Sequence, residues 1–433
     1  MFGRRKHTYT YSTIQPNRGR TRMSRSYGYG YSPYKSDLKK KILKIVLAVV
    51  LVIGVVVGFN FSRIRLAIKG YSIGEQSQIL KLGKSNVAEL LKEDKLDHIT
   101  DWISLSDKVS YYNEYEQYLT LHDDLQFTNV ISEINTIYDE QVKALNDLGY
   151  SDEVLWELLK TQDAEDLSTL INNKVAYDDF KVFMEVDGYS AANVVKYKSY
   201  FDKTKSASYA VLAAEYPMII SSNKFKTSYT ITEPAKETVL VKKGFYLPAD
   251  YEPDDLVEPV KGGIQAAPDC DESKLRQAAM DALNEMYKDA KTEGLTLVIN
   301  DAYRSYKRQQ STYKTFEKNF GGQYAAEHVA LPGASDHQTG LGVDLTSKSV
   351  VKGQRLVFSD TEEYKWAVKH CYDYGFILRY PPNTSKITGI TSEAWHFRYV
   401  GKKAAKMIGE HQWTLEEYCL YTGKLPKMKV KES

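Results

Sequence analysis

Two short segments of the chain carry residue types that bind metals and move protons. SDHQTGLGVDL, which begins at Ser335, places His337 and Asp344 among glycines and small residues. EAWHFRY, which begins at Glu393, adds a carboxylate and His396. Zinc in hydrolases commonly has three protein ligands and a water in the fourth position, and His337, Asp344 and His396 supply such a set. We therefore predict one zinc site, with Glu393 beside the attacking water as the general base.

Both segments have the pattern of strands that would hold these side chains in place. GVDLT is entered through glycines, so Asp344 can point inward where the backbone packs closely. WHFRY alternates in the manner of a strand, and Glu393 lies at its start. A single histidine or aspartate in a strand more often makes a structural hydrogen bond than binds a metal. The combination of the two segments, rather than any one residue, therefore favours a site.

The surrounding residues predict a domain of mixed helices and strands. An apolar stretch at the start of ETVLVKKGFYLPADYEPDDL, from Glu237, predicts a strand that opens this domain. The further predicted elements are a helix at Asp271–Ala290, a strand at 295–300, a helix near 305–319, a strand through GVDLT, a helix at 361–374 ended by Gly375 and a strand around HFRYV. This mixture predicts the α+β class.

These segments resemble the motifs of one known family. SDHQTGLGVD matches the pattern S-x-H-x-x-G-x-A-x-D in all but one position, and EAWH matches E-x-W-H, of the VanY-type zinc D-alanyl-D-alanine carboxypeptidases. That family lies in the lysostaphin, D-Ala-D-Ala metallopeptidase and hedgehog superfamily. DAYRSYKRQ at 301–309 is similar to the family's S-G-Y-R-S-Y-x-x-Q segment, and LVKKGFYLPADYEPDDL to its opening strand and loop. The resemblance covers residues 237–425 and implies an antiparallel sheet with flanking helices.

The resemblance also implies a role for each matching residue. His337, Asp344 and His396 would bind Zn²⁺, Glu393 would be the base, Arg304 would bind substrate and assist catalysis, and Gln309 and Ser335 would line the substrate pocket. Three positions depart from the family pattern: Gly342 where alanine is common, Asp336 where glutamate is frequent, and Asp301-Ala302 where Ser-Gly is usual. None of these departures removes a ligand or the base, so they bear on substrate preference rather than on catalysis.

The activity implied is removal of the terminal D-Ala from peptidoglycan stem peptides. An L,D-carboxypeptidase that acts on tetrapeptide stems is an alternative, since related enzymes share these motifs. A catalytically inactive module that binds the cell wall is another. The presence of both Glu393 and Arg304 argues against the inactive module, because a purely structural zinc site needs no base.

The N-terminal part of the chain predicts a membrane anchor. Residues 1–44 hold twelve basic residues and one acid, Asp37, so the remainder of the chain is net acidic. Residues 1–41 have a composition typical of a disordered basic tail, and 42–61 form an apolar run of the length that crosses a bilayer. Because the basic residues precede this run, the tail is expected in the cytoplasm and the rest outside, with a retained single-pass anchor in the cell membrane.

The segments on either side of the predicted peptidase domain have no chemistry of their own. Residues 62–221 have the pattern of helices, and Gly-Tyr-Ser recurs at Gly70, Gly149 and Gly188, which suggests degenerate repeats in a stalk or wall-binding region. Residues 222–236 predict a linker or an edge hairpin, and 426–433 a basic tail. Three cysteines allow at most one disulfide, and no nucleic-acid partner is expected.

Overall fold

The computed structural model describes residues 34–221 and 227–431. The chain forms two compact units, Met1–Asn113 and Glu114–Ser433. Most of the predicted disordered tail, residues 1–33, lies outside the described residues, as do 222–226 of the predicted linker and the last two residues of the predicted basic tail.

The first unit contains a long apolar helix at Tyr34–Ile68. Within it, Asp37–Gly58 is the one segment of the described residues that is long and apolar enough to cross a membrane, with a mean hydropathy of 2.6. This segment includes most of the predicted span 42–61, and none of its most apolar window is buried in protein. Its exposed leucines, isoleucines and valines are unlike the single apolar face of a helix in a soluble core. Shorter helices follow at Ile73–Ile79, Lys84–Leu90 and Ile99–Leu105.

Helices continue without any strand up to residue 215, so a helical region precedes the sheet domain as predicted. They are Tyr112–Leu121, Phe127–Thr136, the π-helical turn Ile137–Gln141, Val142–Asp147, Asp152–Leu158, Ala164–Asn172, Tyr177–Met184, Val194–Thr204 and Ala207–Glu215. The predicted apolar face of the segment DEVLWELL is buried at Leu155, Leu158 and Leu159.

The three Gly-Tyr-Ser triplets share a local conformation. Each glycine has a positive φ of +78 to +92°, a region that glycine enters without steric cost. Each serine side chain then accepts a hydrogen bond from a backbone N–H in the first turn of the next helix. The Tyr71 and Tyr150 hydroxyls both bond to backbone 25 residues further along, at Leu96 and Val175. These likenesses agree with the repeat hypothesis, which stays a prediction.

A five-stranded sheet forms the centre of the peptidase region. Its strands, in spatial order, are Gln265–Ala266, Leu297–Asp301, Gly342–Ser347, His396–Tyr399 and Phe376–Leu378. All neighbours pair antiparallel except the first two, which are parallel because the helix Gln277–Thr292 lies between them in the chain. The predicted antiparallel sheet therefore holds for three of the four strand pairs, and the pair at this edge is parallel.

Two small sheets complete the strand pairing. One has the order Met428–Val430, Tyr229–Ile231 and Phe245–Tyr246, and the other pairs Leu256–Val257 with Leu275–Arg276. The predicted strand that begins at Glu237 is instead irregular: Val239, Leu240 and Val241 are buried, and an isolated bridge pairs Lys242 with Phe245. The predicted helix Asp271–Ala290 starts six residues late, because Leu275 and Arg276 pair as a strand.

The remaining helices include the two that were predicted, near 305–319 and at 361–374, and five that were not. They are Tyr306–Phe320, Gly322–His328, Lys348–Val351, Glu362–His370, Ser385–Thr388, Lys402–His411 and Leu415–Thr422. Leu283, Ile299, Val343 and Phe397 belong to the apolar core between the helix Gln277–Thr292 and the sheet. Cys270, Cys371 and Cys419 are free thiols, and the last two are buried.

Candidate metal centre and catalytic cavity

Two adjacent strands and one tight turn bring the three predicted metal ligands together. In the sheet register, Asp344 lies directly opposite His396, so their side chains leave the same face. His337 comes from the 3₁₀ turn Asp336–Thr339, just before the strand that carries Asp344. One ligand atom from each of the three side chains lies within 4.8 Å of the others, and all three residues are buried.

Backbone contacts and ring orientation prepare both imidazoles. His337 Nδ1 donates to the Ala302 carbonyl at 2.6 Å, which leaves its Nε2 facing Asp344 Oδ1 at 3.5 Å. A backbone carbonyl that accepts from the far nitrogen is the usual support of a metal-bound histidine. His396 Nδ1 lies 2.9 Å from the same Asp344 oxygen. Its Nε2 is buried without a hydrogen-bond partner, and Asp336 Oδ2 is 4.0 Å away.

These residues fit a zinc ion. Two imidazole nitrogens and one carboxylate are a donor set that zinc accepts in catalytic sites. The buried His396 ring has one nitrogen on Asp344 and the other unpaired, an arrangement that costs free energy unless another group engages it. His337, Asp344 and His396 would hold such a cation, and Asp336 Oδ2 lies 4.0 Å from His396 Nε2.

The electrostatics of the cluster favour the metal-binding forms of two of the three predicted ligands, Asp344 and His337. Burial opposes the charge on Asp344, yet the neighbouring His337 and His396 hold its pKa well below the usual range. Burial and the positive charge of Arg304 lower the pKa of His337, which keeps its imidazole neutral. A charged carboxylate and a neutral imidazole are the forms that bind metal.

Glu393 lies beside this cluster. Its Oε2 is 3.8 Å from His396 Nδ1, and its backbone N–H donates to the Tyr380 carbonyl at 3.1 Å. Burial and the charge of Asp344 raise the pKa of the Glu393 carboxyl to about 7. A carboxyl group with such a pKa is suited to accept and return a proton near neutral pH.

Arg304 reaches the same cavity and is held by two partners. Its Nε donates to Asp301 Oδ2 at 3.2 Å, its Nη2 also bonds to this oxygen, and its Nη1 donates to Gln309 Oε1 at 2.9 Å. Gln309 is fixed in turn by donating to the Ala330 carbonyl at 2.7 Å. Gln309 therefore orients the guanidinium as well as lining the pocket, and Ser335 is buried in the pocket wall.

All of the predicted site residues face one cavity of about 490 Å³. This volume is in the ordinary range for a pocket that binds a small ligand. Its other lining residues include Thr312, Phe316, Tyr324, His328, Thr391, Ser392 and Trp395. The cavity thus extends well past the metal ligands along the helices Tyr306–Phe320 and Gly322–His328.

Comparison with known proteins identifies the family. A family model described as VanY, D-alanyl-D-alanine carboxypeptidase, matches residues 272–402. The carboxypeptidase homologue YodJ of Bacillus subtilis (strain 168) is 43% identical over 190 residues, which are 44% of this chain and 69% of YodJ. This chain belongs to the VanY family of carboxypeptidases.

Two solved VanY-like structures are also similar to this chain. The LD-carboxypeptidase LdcB is 41% identical, with a TM-score of 0.42 over 46% of this chain and 92% of LdcB. A variant of the vancomycin-resistance D,D-pentapeptidase VanY in complex with Zn(II) is 29% identical, with a TM-score of 0.36 over 42% of this chain and 98% of that one.

The three departures from the VanY pattern have local structural reasons. A Cβ on Gly342 would lie 3.0 to 3.1 Å from Asp336 and His337, so the usual alanine would push on the turn that carries a predicted ligand. Asp301 follows a register shift in its strand and accepts from both Arg304 and Arg308, the latter at 2.9 Å. From the sequence alone, Asp301 was identified only as a departure from the family pattern. Its role as a hydrogen-bond acceptor for Arg304 was not predicted.

Asp336 belongs to a buried charge network that the sequence did not reveal. We define this network as Lys242, Asp336, Arg379, Arg398 and Glu416, all buried. Asp336 accepts from Arg379 Nε at 2.9 Å and from Arg398 Nη1. Arg379 also makes two hydrogen bonds with Glu416, at 2.9 and 3.0 Å, and Lys242 Nζ is 3.6 Å from Glu416. Burial disfavours the charge on Asp336, but Arg398 and Arg379 lower its pKa to about 2.

Proposed function

We propose that this chain is a zinc carboxypeptidase that removes the terminal D-Ala from peptidoglycan stem peptides. One observation carries the proposal. The ligand atoms of His337, Asp344 and His396 lie within 4.8 Å of one another, in the cavity that also holds Glu393 and Arg304. Membership of the VanY family supports the same reaction class.

The residues around the scissile bond would have distinct tasks. Bound zinc supplies a Lewis acid that polarises the scissile carbonyl and lowers the pKa of the attacking water. The Glu393 carboxylate accepts the proton of that water and returns it to the nitrogen of the leaving D-Ala as the C–N bond breaks. Burial removes Glu393 from bulk water and raises its pKa to about 7, so it can both take and give the proton.

Arg304 recognises the substrate in this proposal. A guanidinium has five N–H groups, and the bonds to Asp301 and Gln309 use three of them. The remaining N–H groups can pair with the terminal carboxylate of the peptide or with the oxyanion of the transition state. Because Asp301 and Gln309 hold the group from behind, Arg304 meets the substrate with little loss of side-chain entropy.

The masses of the products test the proposed reaction. The zinc-loaded full chain in detergent micelles should release D-Ala from a pentapeptide stem, with the products measured by mass spectrometry. Release of the terminal residue from a tetrapeptide, with the pentapeptide left intact, would replace this proposal by the L,D-carboxypeptidase. Binding to purified cell wall without cleavage of either peptide would identify an inactive wall-binding module.

A substitution of the base separates catalysis from metal binding. Glu393→Gln should keep its zinc and its fold but lose about 10²- to 10⁴-fold in kcat, the usual cost of losing a general base. Glu362→Gln, at an exposed position on the helix Glu362–His370, is the matched control and should keep full activity. D-Ala release by Glu393→Gln at the wild-type rate would show that another group takes the proton.

The long apolar helix is proposed as a single-pass anchor in the cell membrane. Lys39, Lys40, Lys41 and Lys44 lie at its N-terminal end, so the positive-inside rule places residues 1–41 in the cytoplasm and the peptidase domain outside. Residues 62–221 would then form the extracytoplasmic stalk. Protease added to intact wall-less cells should digest the peptidase domain and spare the N-terminal tail, and protection of the domain would contradict this orientation.

A further inference from the structure

A row of aromatic side chains continues from the candidate catalytic cavity onto the surface. We define the aromatic row as Phe316, Phe320, Tyr324 and His328, which recur every fourth residue along two consecutive helices. Successive ring centroids are 5.6, 5.1 and 3.8 Å apart. The first helix ends at Phe320 and Gly321 has a φ of +89°, yet the rings on the two helices remain neighbours. The four rings therefore act as one surface feature.

The aromatic row is not part of the apolar core. Phe320 is 58% exposed and Tyr324 is 43% exposed, although large apolar side chains gain most when they are buried. Tyr324 is nonetheless held in place, because its ring is stacked on His328 with an interplanar angle of 7°. His328 Nδ1 in turn donates to the Tyr324 carbonyl at 2.9 Å. An ordered, exposed aromatic surface of this kind marks a binding site more often than a packing defect.

The row and the catalytic residues share one cavity. Phe316, Tyr324 and His328 line the same 490 Å³ space as His337 and Glu393. Thr312, Thr391 and Ser392, which carry hydroxyl groups, line this cavity as well. Flat apolar rings beside scattered hydroxyl groups suit a ligand that has an apolar face and polar edges.

An extended stem peptide is long enough to reach the aromatic row from the catalytic residues. In a pentapeptide stem, four residues separate the scissile bond from the amino sugar, a distance of about 13 to 14 Å when extended. Helical rise places Phe316 and Phe320 about 10 and 16 Å from Gln309 along the helix axis. Gln309 holds Arg304 at the catalytic end, so a stem bound along this helix toward Phe320 would bring its sugar end to the aromatic row.

We propose that the aromatic row is a subsite for the amino sugar that carries the stem peptide, which rests on the function proposed above. The C–H face of a pyranose ring is flat and apolar, so it stacks on aromatic rings, while its hydroxyl and acetamido groups bond to neighbouring side chains. The stem itself, built of alanine, glutamate and a diamino acid, has no comparable flat apolar face. The enzyme should therefore prefer stems attached to glycan over free peptides.

The ratio of two specificity constants tests the subsite. We expect wild type to have a higher kcat/KM for a disaccharide pentapeptide than for the free pentapeptide. Phe320→Ala and Tyr324→Ala should each lower this ratio by about threefold to tenfold, mainly through KM, the range of one stacking contact. Leu356→Ala removes an exposed apolar side chain outside the row and should leave the ratio unchanged. Equal ratios in wild type and both row variants would overturn the subsite while D-Ala release still supported the proposed function.

A binding measurement keeps the test decisive if neither substrate is cleaved. The peptide-free disaccharide of N-acetylglucosamine and N-acetylmuramic acid should perturb the aromatic NMR signals of the full chain in micelles, and Tyr324→Ala should weaken this binding. The same affinity in wild type and Tyr324→Ala would exclude the subsite whatever the activity. Loss of self-association or of vesicle binding in the row variants, with the ratio intact, would assign the row to a protein or lipid partner instead.

Discussion

Two buried polar clusters meet at His396, and they differ in how completely their groups are paired. In the charge network, each charged group lies against an opposite charge, and the Arg379–Glu416 pair has two well-formed hydrogen bonds. In the metal cluster, two imidazoles crowd one carboxylate oxygen, and His396 Nε2 has no hydrogen-bond partner. Full pairing of charges makes the network structural, whereas three donor atoms that lie within 4.8 Å of one another suit a bound cation.

The comparison also assigns a task to the network. Ion pairs with full desolvation contribute little net stability compared with apolar residues, but they are costly to break. Arg398 lies two residues after His396 on the same strand, and Asp336 directly precedes His337. The network therefore holds the backbone on which two predicted ligands are mounted. We regard it as the scaffold that keeps the metal cluster in register.

Breaking the network should have the largest effect on stability. Asp336→Ala leaves Arg379 and Arg398 without their shared carboxylate in a fully buried position, so the free energy of unfolding should fall by about 3 to 5 kcal/mol. The measurement is chemical denaturation of the full chain in micelles. Asp178→Ala removes an exposed ion pair and should not change the midpoint. A loss no larger than that of the control would show that the network is not a scaffold.

Binding of zinc to the metal cluster should have the next largest effect on the free energy of unfolding. Zinc at one hundred times its Kd should raise the free energy of unfolding of the metal-free chain by about 2.7 kcal/mol, because it binds the folded state. His337→Ala should abolish this gain, whereas His411→Ala, at an exposed position, should keep it. If zinc stabilises His337→Ala as much as wild type, the metal binds elsewhere.

A helix cap behind the network should have the smallest effect. The side chain of Thr414 accepts from the Glu417 N–H at 3.2 Å, and that of Glu417 accepts from the Thr414 N–H at 2.8 Å. Thr414→Ala should lower the free energy of unfolding by about 1 kcal/mol in the same experiment without changing zinc affinity. Thr414→Ser should keep the wild-type stability, because serine caps a helix equally well. A fall in zinc affinity with Thr414→Ala would mean that the helix end and the metal cluster are more tightly coupled than the contacts indicate.

The sequence predicted the grouping of the metal cluster but not its support. Spacing within the two motifs was sufficient to group His337, Asp344 and His396. Asp344 and His396 lie on adjacent strands, and His337 lies in the turn that precedes the first of them. Asp336 finds its partners 43 and 62 residues away, at Arg379 and Arg398. Charged residues are usually exposed, so nothing in their local pattern marks them as buried.

Local patterns also explain which elements were predicted poorly. The strand Leu297–Asp301 and the helix Tyr306–Phe320 have clear periodicity and lie within two residues of their predicted bounds. Leu275 has helical spacing with the residues that follow it, but pairing with Val257 draws it into a strand. Such pairing depends on a distant partner, and a single sequence read along its length does not contain that information.

The position of Glu416 so late in the chain has a consequence for how the enzyme matures. Arg379 depends on a carboxylate from the last helix, Leu415–Thr422, and the strand Met428–Val430 then pairs with Tyr229–Ile231 at the other end of the domain. The scaffold of the metal cluster therefore closes only after Glu416 has been synthesised. A chain that stalls before Glu416 leaves the buried Arg379 guanidinium short of a partner, so an incompletely synthesised domain would remain without an ordered site.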